Sequence, residues 1–163
     1  MKTVLCLEFA VSKQRLRASF KQPALYALIL EYLERASKFS RCELSGAITR
    51  SEKRSPKKSA QVALAGNSTV LWLCDLRASA KALSSNQLAL EMQRLEQRGV
   101  KELVIAIGSA DGWEDSQIAE LQPSLLWSFG PLTLPHELAA LVAAEQIYRA
   151  RSILAKTPYH LGH

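Results

Sequence analysis

Short apolar runs that alternate with longer stretches of helical periodicity constrain this chain more than any single residue does. Residues 69–76, running Thr69-Val70-Leu71-Trp72-Leu73-Cys74-Asp75-Leu76 behind Gly66-Asn67, are β-branched and apolar and mark a strand. Residues 3–9, 42–48, 103–107 and 124–128 read the same way. Between them, residues 23–37 carry Leu25, Leu28, Ile29, Tyr32 and Leu33 at helical spacing behind Pro23. Residues 57–65 suit a short helix, Ser84-Ser85 cap a helix that runs through Gln97 and ends at Gly99, residues 116–121 form a short helix, and residues 136–154 a long terminal one. Such alternation predicts an α/β fold with a mostly parallel sheet and helices on both faces. With 163 residues, 48% of them hydrophobic, the chain suits one well-buried domain, residues 1–163.

Bulk chemistry narrows the function classes only a little. Lys and Arg number 21 against 15 Asp and Glu, a formal charge of +6 that favours encounter with polyanions. Arg50, Lys53, Arg54, Lys57 and Lys58 crowd one segment with Glu52 as their single opponent, read either as a solvated charge run or as a phosphate contact surface. Cys6, Cys42 and Cys74 are odd in number, far apart in sequence and set in apolar stretches, so they read as small buried hydrophobes and no metal site or disulfide framework is expected. The apolar run at the start meets Glu8 too early for a signal peptide, and no run approaches the ~20 residues of a membrane span. A cytoplasmic protein without a membrane partner is the expectation.

In an open parallel sheet, ligands gather outside the carboxyl ends of the strands. Three such ends draw the eye: Leu76, the segment Gly108-Ser109-Ala110-Asp111-Gly112, and the segment from Phe129 to Leu134. Gly108 to Gly112 lets a ligand approach backbone, because glycine lacks the Cβ that would stand in the way, and reads equally as an ordinary strand-to-helix turn. Phe129 to His136 contains Gly130, Pro131 and Pro135, which leave no room for a regular helix before Pro135. Its irregular backbone can offer N–H and C=O groups to a purine while Leu132 and Leu134 cover the ring.

The last third also holds an ordered trio: Trp127-Ser128-Phe129-Gly130-Pro131-Leu132-Thr133-Leu134-Pro135-His136, then Ala144-Glu145-Gln146-Ile147-Tyr148-Arg149-Ala150, then Thr157-Pro158-Tyr159-His160. Glu145 and Tyr148 suit structural work, whereas the fork of Arg149 suits either a phosphate, a nucleobase carbonyl or a salt bridge. Tyr159 beside His160 could stack on a base and exchange protons near neutral pH. The trio resembles the C-terminal signature of the ribosomal large subunit methyltransferase H family, members of the SPOUT class. The resemblance is dense over residues 105–160 and fair over residues 70–90.

That resemblance implies a SPOUT-type α/β knot, with a trefoil threaded at the Leu132 to His136 string. It also implies an activity, transfer of the methyl group of S-adenosylmethionine to N3 of a pseudouridine in large-subunit (23S) rRNA of assembled ribosomes, carried out by a homodimer. By the same likeness, Leu76, Gly108, Ser128, Phe129, Gly130, Pro131, Leu132, Thr133 and Leu134 would hold the cofactor. Arg149, Tyr159 and His160 would act on the base, the tail reaching towards the partner subunit's site. Ser109 stands where the family has a second glycine, and Ala140 and Leu161 where it has basic residues. These departures keep two alternatives open: a catalytically impaired RNA- or ribosome-binding homologue, and a methyltransferase acting on another RNA such as tRNA.

Overall fold

A computed structural model describes residues 1–10, 15–46 and 68–160. The basic segment at 50–58, the expected short helix at 57–65, the end of the second expected strand at 47–48, and Leu161 lie outside the described residues. Within the described residues, six strands form one sheet: β1 (Lys2–Leu7), β2 (Cys42–Gly46), β3 (Thr69–Cys74), β4 (Lys81–Ala82), β5 (Glu102–Ile107) and β6 (Leu125–Ser128). Among the described residues, four α-helices accompany them: α1 (Pro23–Ser37), α2 (Ser85–Gln97), α3 (Asp115–Leu121) and α4 (His136–Leu154). Every strand pair is parallel, in the order β2-β1-β5-β3-β6-β4. The sheet and its helices thus follow the alternation in the sequence, while β4 escapes it because two exposed residues carry no pattern.

Local chemistry sets the element ends. Ser84 caps α2 through a reciprocal box, its hydroxyl accepting the N–H of Gln87 while the Gln87 side chain accepts the N–H of Ser84. Gly99 closes the far end at φ +79°, a conformation that glycine adopts without strain. Pro23 opens α1 where a missing N–H costs nothing. Pro135 precedes α4 with extended backbone, and its carbonyl accepts the N–H of Ala139 at 2.8 Å.

The two faces of the sheet are covered unequally. On one, Leu5, Leu7, Trp72, Leu103, Ile105 and Ile107 pack under α1, α2 and α4. On the other, Cys6, Leu71, Leu73 and Ala106 meet Trp113 and Leu121 of α3 and the loop before it. Alternate residues of each strand point to opposite faces, so both rows are apolar in β1, β3 and β5. Burial pushes the Cys42 thiol up to about 11 and the Cys6 thiol higher still, and all three cysteines are free.

Buried polar groups lock α4 into place. Arg151, only 3% exposed, pairs with Glu96 of α2 and donates to Thr3 Oγ1 at 2.9 Å and the Met1 carbonyl at 3.1 Å. Glu137 at the opposite end accepts the backbone N–H groups of Lys21 at 2.7 Å and Gln22 at 3.4 Å, fixing the entry to α1. Removing one partner of a buried pair leaves the others unsatisfied, at about 3–5 kcal/mol. Glu96 retains 32% exposure, so Arg151→Ala should fall at the lower end of that range, read as a reduced urea midpoint. A loss below about 1 kcal/mol, the worth of an exposed ion pair, would contradict this account.

Candidate active site

Strands β5, β3 and β6 are neighbours, and their carboxyl ends open into one cleft of about 670 Å³. Cys74, Asp75 and Leu76 form one wall, residues 107–113 a second, and Phe129 with residues 132–136 and Ala139 a third. This is the volume and mixed apolar lining of a small-ligand site. Leu76 and Leu132 stand at its edge with 51% and 66% exposure, large apolar side chains that a bound ligand would cover.

The second wall is shaped by close backbone approach. Ser109 and Gly112 form an antiparallel bridge, and Gly112 turns the chain at φ +77°. A Cβ on Gly108 would lie 3.1 Å from Trp113 Nε1 and 3.2 Å from the carbonyl of Gly112, so a side chain there would press its neighbours outward by a few tenths of an ångström. The Trp113 indole donates to the Cys74 carbonyl at 3.0 Å and ties this wall to the first. Ser109, which replaces the glycine of the resembled family, turns its hydroxyl to the Gly112 carbonyl at 3.4 Å.

The third wall is held from beneath. Ser128 Oγ accepts the N–H of Gly130 and donates to its carbonyl, both at 3.1 Å, while Gly130 sits at φ +98°. Ser128 and Gly130 therefore shape the turn and line a neighbouring hollow of about 390 Å³ beside Ser84, Ser85 and Gln146, and neither lines the main cleft. Pro131 lines neither hollow. Phe129, Leu132, Thr133 and Leu134 do line the cleft, together with Leu76 and Gly108. His136 lines it as well, packed against the Phe9 ring at 4.3 Å between centroids. Burial, with the Asp75 charge beside it, pushes the Cys74 thiol far above its ordinary value, so this cysteine offers no thiolate at neutral pH.

Arg149 and Tyr159 lie elsewhere. Thirteen residues of helix separate His136 from Arg149, about 20 Å at 1.5 Å per residue. There Glu145 accepts Arg149 Nε at 2.9 Å, Arg149 Nη2 at 2.7 Å and the Tyr159 hydroxyl at 3.1 Å. The Arg149 guanidinium lies 4.9 Å from the Tyr159 ring centre, and the Tyr148 ring lies 4.4 Å from that of Tyr159. Burial first, then the Glu145 carboxylate, pushes the Tyr159 phenol far above its ordinary value, so it stays a neutral donor at working pH. His160 ends a single 3-10 turn, Pro158–His160, and its side chain lies outside the described part of the chain. Ala140, where the resembled family has a basic residue, is fully buried in the main core.

Within one chain, then, the cleft residues come together and the arginine–tyrosine pair does not join them. Asp75, Trp113 and Ala139 belong to the cleft although nothing in the sequence assigned them to a site; the aromatic immediately after Gly112 was the available signal for Trp113. Among the described residues, no group of three or more His, Cys, Asp or Glu is placed to hold a metal ion, and no helix is long and apolar enough to cross a membrane.

Comparison with known proteins agrees with this geometry. The family described as "Predicted SPOUT methyltransferase" matches residues 16–160. The ribosomal RNA large subunit methyltransferase H of Maricaulis maris (strain MCS10) is 41% identical over 139 residues, covering 82% of this chain and 87% of that protein. The protein of the same name from Phenylobacterium zucineum (strain HLK1) is 40% identical over 138 residues, covering 82% and 87%. That from Koribacter versatilis (strain Ellin345) is 37% identical over 143 residues, covering 88% and 92%. With its parallel sheet, its cleft at three adjacent strand ends and these matches over most of its length, the chain belongs to the SPOUT methyltransferase family, in the ribosomal RNA large subunit methyltransferase H group.

Proposed function

We propose that this protein methylates large-subunit rRNA, at N3 of a pseudouridine in assembled ribosomes, with S-adenosylmethionine held in the cleft above β5, β3 and β6. The observation that carries the reading is the cleft itself: about 670 Å³, lined by Gly108, Phe129, Leu132, Thr133, Leu134 and Leu76. Its size and apolar walls suit a nucleoside, and its loop backbones supply polar edges to a purine. The Asp75 carboxylate on the same wall, 8% exposed, suits a ribose hydroxyl or the positive end of the ligand.

When bound, S-adenosylmethionine supplies an activated methyl group on a sulfonium. The protein's work is therefore to orient both partners and to help the N3 proton leave. Leu132 and Leu134 exclude water above the ring, and the rigid turns at Gly112 and Gly130 hold the walls at fixed spacing. Arg149 presents Nη1 to a phosphate or base carbonyl while Glu145 holds Nε and Nη2 and with them the rotamer. Tyr159 is a neutral donor and stacking surface, which leaves the proton to the His160 imidazole.

The span of about 20 Å along α4 from His136 to Arg149 means that one subunit does not complete this site by itself. A homodimer in which the tail of each subunit meets the cleft of the other would do so. The insertion of β6 between β3 and β4, with α4 returning to pack on α1, is the path along which we place the trefoil knot.

Calorimetric titration with S-adenosylmethionine should show one saturable site per subunit; a folded protein without binding would favour an RNA-binding homologue that has lost the reaction. Methyl transfer to tRNA in place of ribosomes would transfer the proposal to another RNA. Arg149→Ala should keep cofactor affinity and lower transfer to ribosomes by about 10²-fold, the scale of a lost positioning contact. Unchanged transfer would remove Arg149 from the site. Gly108→Ala places a Cβ 3.1–3.2 Å from its neighbours, so the loop must shift and cofactor affinity should fall with little change in fold. Retained affinity would show that the second wall does not touch the ligand.

A further inference from the structure

Arg77 bridges two walls of the cleft from behind, without lining it. Where β3 ends, Asp75 stays in line with the sheet, its N–H donating to the Trp127 carbonyl at 3.0 Å. The Asp75 carboxylate then accepts the backbone N–H of Arg77 at 2.8 Å, a side-chain turn that swings the chain off the sheet. From there the Arg77 guanidinium reaches across to the end of the second wall. Nη2 donates to the Trp113 carbonyl at 2.9 Å, Nη1 to Asp115 Oδ1 at 2.6 Å, and Nε lies 3.1 Å from Asp75 Oδ2. The Trp113 indole returns the link to the Cys74 carbonyl.

These contacts are unequal. Asp115 is 93% exposed, so its ion pair is screened and worth little. Asp75 is 8% exposed and Arg77 29%, so their charge attraction is better sheltered, and the Trp113 carbonyl adds direction to it. One planar fork serves Asp75, Trp113 and Asp115 together, and the compact ammonium of a lysine cannot span all three. The other wall, around Phe129, is held by Ser128 within its own turn and needs no such tie.

We propose that Arg77 is a positioning residue that sets the width of the cleft, and hence its affinity for the nucleoside ligand, by tying the Cys74 to Leu76 wall to the end of the Gly108 to Gly112 loop. The inference rests on the reading of this cleft as the S-adenosylmethionine site. Because Arg77 stands outside the lining, its effect falls on ligand binding and not on transfer once the ligand is bound. Apparent affinity falls in proportion to the time the walls spend in the competent spacing.

The test is calorimetric titration of wild type, Arg77→Ala, Arg77→Lys and Asp115→Ala with S-adenosylmethionine, paired with single-turnover methyl transfer to ribosomes at saturating cofactor. If untied walls are competent about a tenth of the time, Arg77→Ala binds about tenfold more weakly. Arg77→Lys should be intermediate, Asp115→Ala close to wild type, and the saturated transfer rate unchanged throughout. Equal affinity for wild type and Arg77→Ala would overturn the proposal, as would a fall in saturated rate with affinity kept. Wild-type protein that binds no cofactor would overturn the underlying reading of the cleft instead, a result distinct from equal binding by both proteins. Should Arg77→Ala fail to fold, Arg77→Met, which keeps the apolar stem but carries no donor for the Trp113 carbonyl, decides the matter: weaker binding supports the tie and equal binding overturns it.

Discussion

The packing of α4 governs the architecture. Ala140, Ala143, Ala144, Ile147 and Ala150 are fully buried along it, and small side chains let the helix lie close to its neighbours. Glu137 and Arg151 secure its two ends to other parts of the chain, one to the entry of α1 and the other to β1 and α2. Both functional regions draw on this rod. Its first turn contributes His136 and Ala139 to the cleft, and its later turns carry Glu145, Tyr148 and Arg149. Because a packed helix does not bend to bring its ends together, the separation between them is a fixed property of the fold.

The cleft is held together differently. Its walls are loops, and loops hold a ligand well only when something else holds them. Each wall here has its own restraint: the Ser128 hydroxyl bridging both backbone groups of Gly130, the bridge between Ser109 and Gly112, and the Trp113 indole on the Cys74 carbonyl. The apolar edges, Leu76 and Leu132, remain exposed and are the natural cover for a nucleoside. Pre-set walls reduce the entropy lost when the ligand binds, which is the physical content of a preorganised site.

Much of this was legible in the residues, and the exceptions are instructive. The β-branched run at Thr69 and the helical spacing through α4 carry strong periodicity, and the structure follows both. β4 has only two exposed residues and leaves no pattern to read. Ser128 and Gly130 sit inside the string that resembles the family, yet their polar groups turn towards each other, a pairing set by backbone path and not by residue type. Gly108 reads as room for a ligand, and the structure shows its Cβ position crowded by the loop's own backbone and by Trp113. Ala140 reads as a lost charge, but it sits in a space with no exposure at all. The spacing of Asp75 and Arg77 hints at a turn, whereas the reach from Arg77 to Trp113 crosses 36 residues and appears only once the chain is folded.

On the proposed reading, the cleft and the Arg149 cluster, held apart by α4, become one site only between two copies of the chain. Mixing a subunit damaged only at Gly108 with one damaged only at Arg149, after exchange of subunits, tests it directly by methyl transfer to ribosomes. The account predicts activity in the mixture that neither variant shows alone, because one of the two shared sites in each mixed dimer is intact. A mixture as inactive as its parents, with subunit exchange demonstrated, would contradict it.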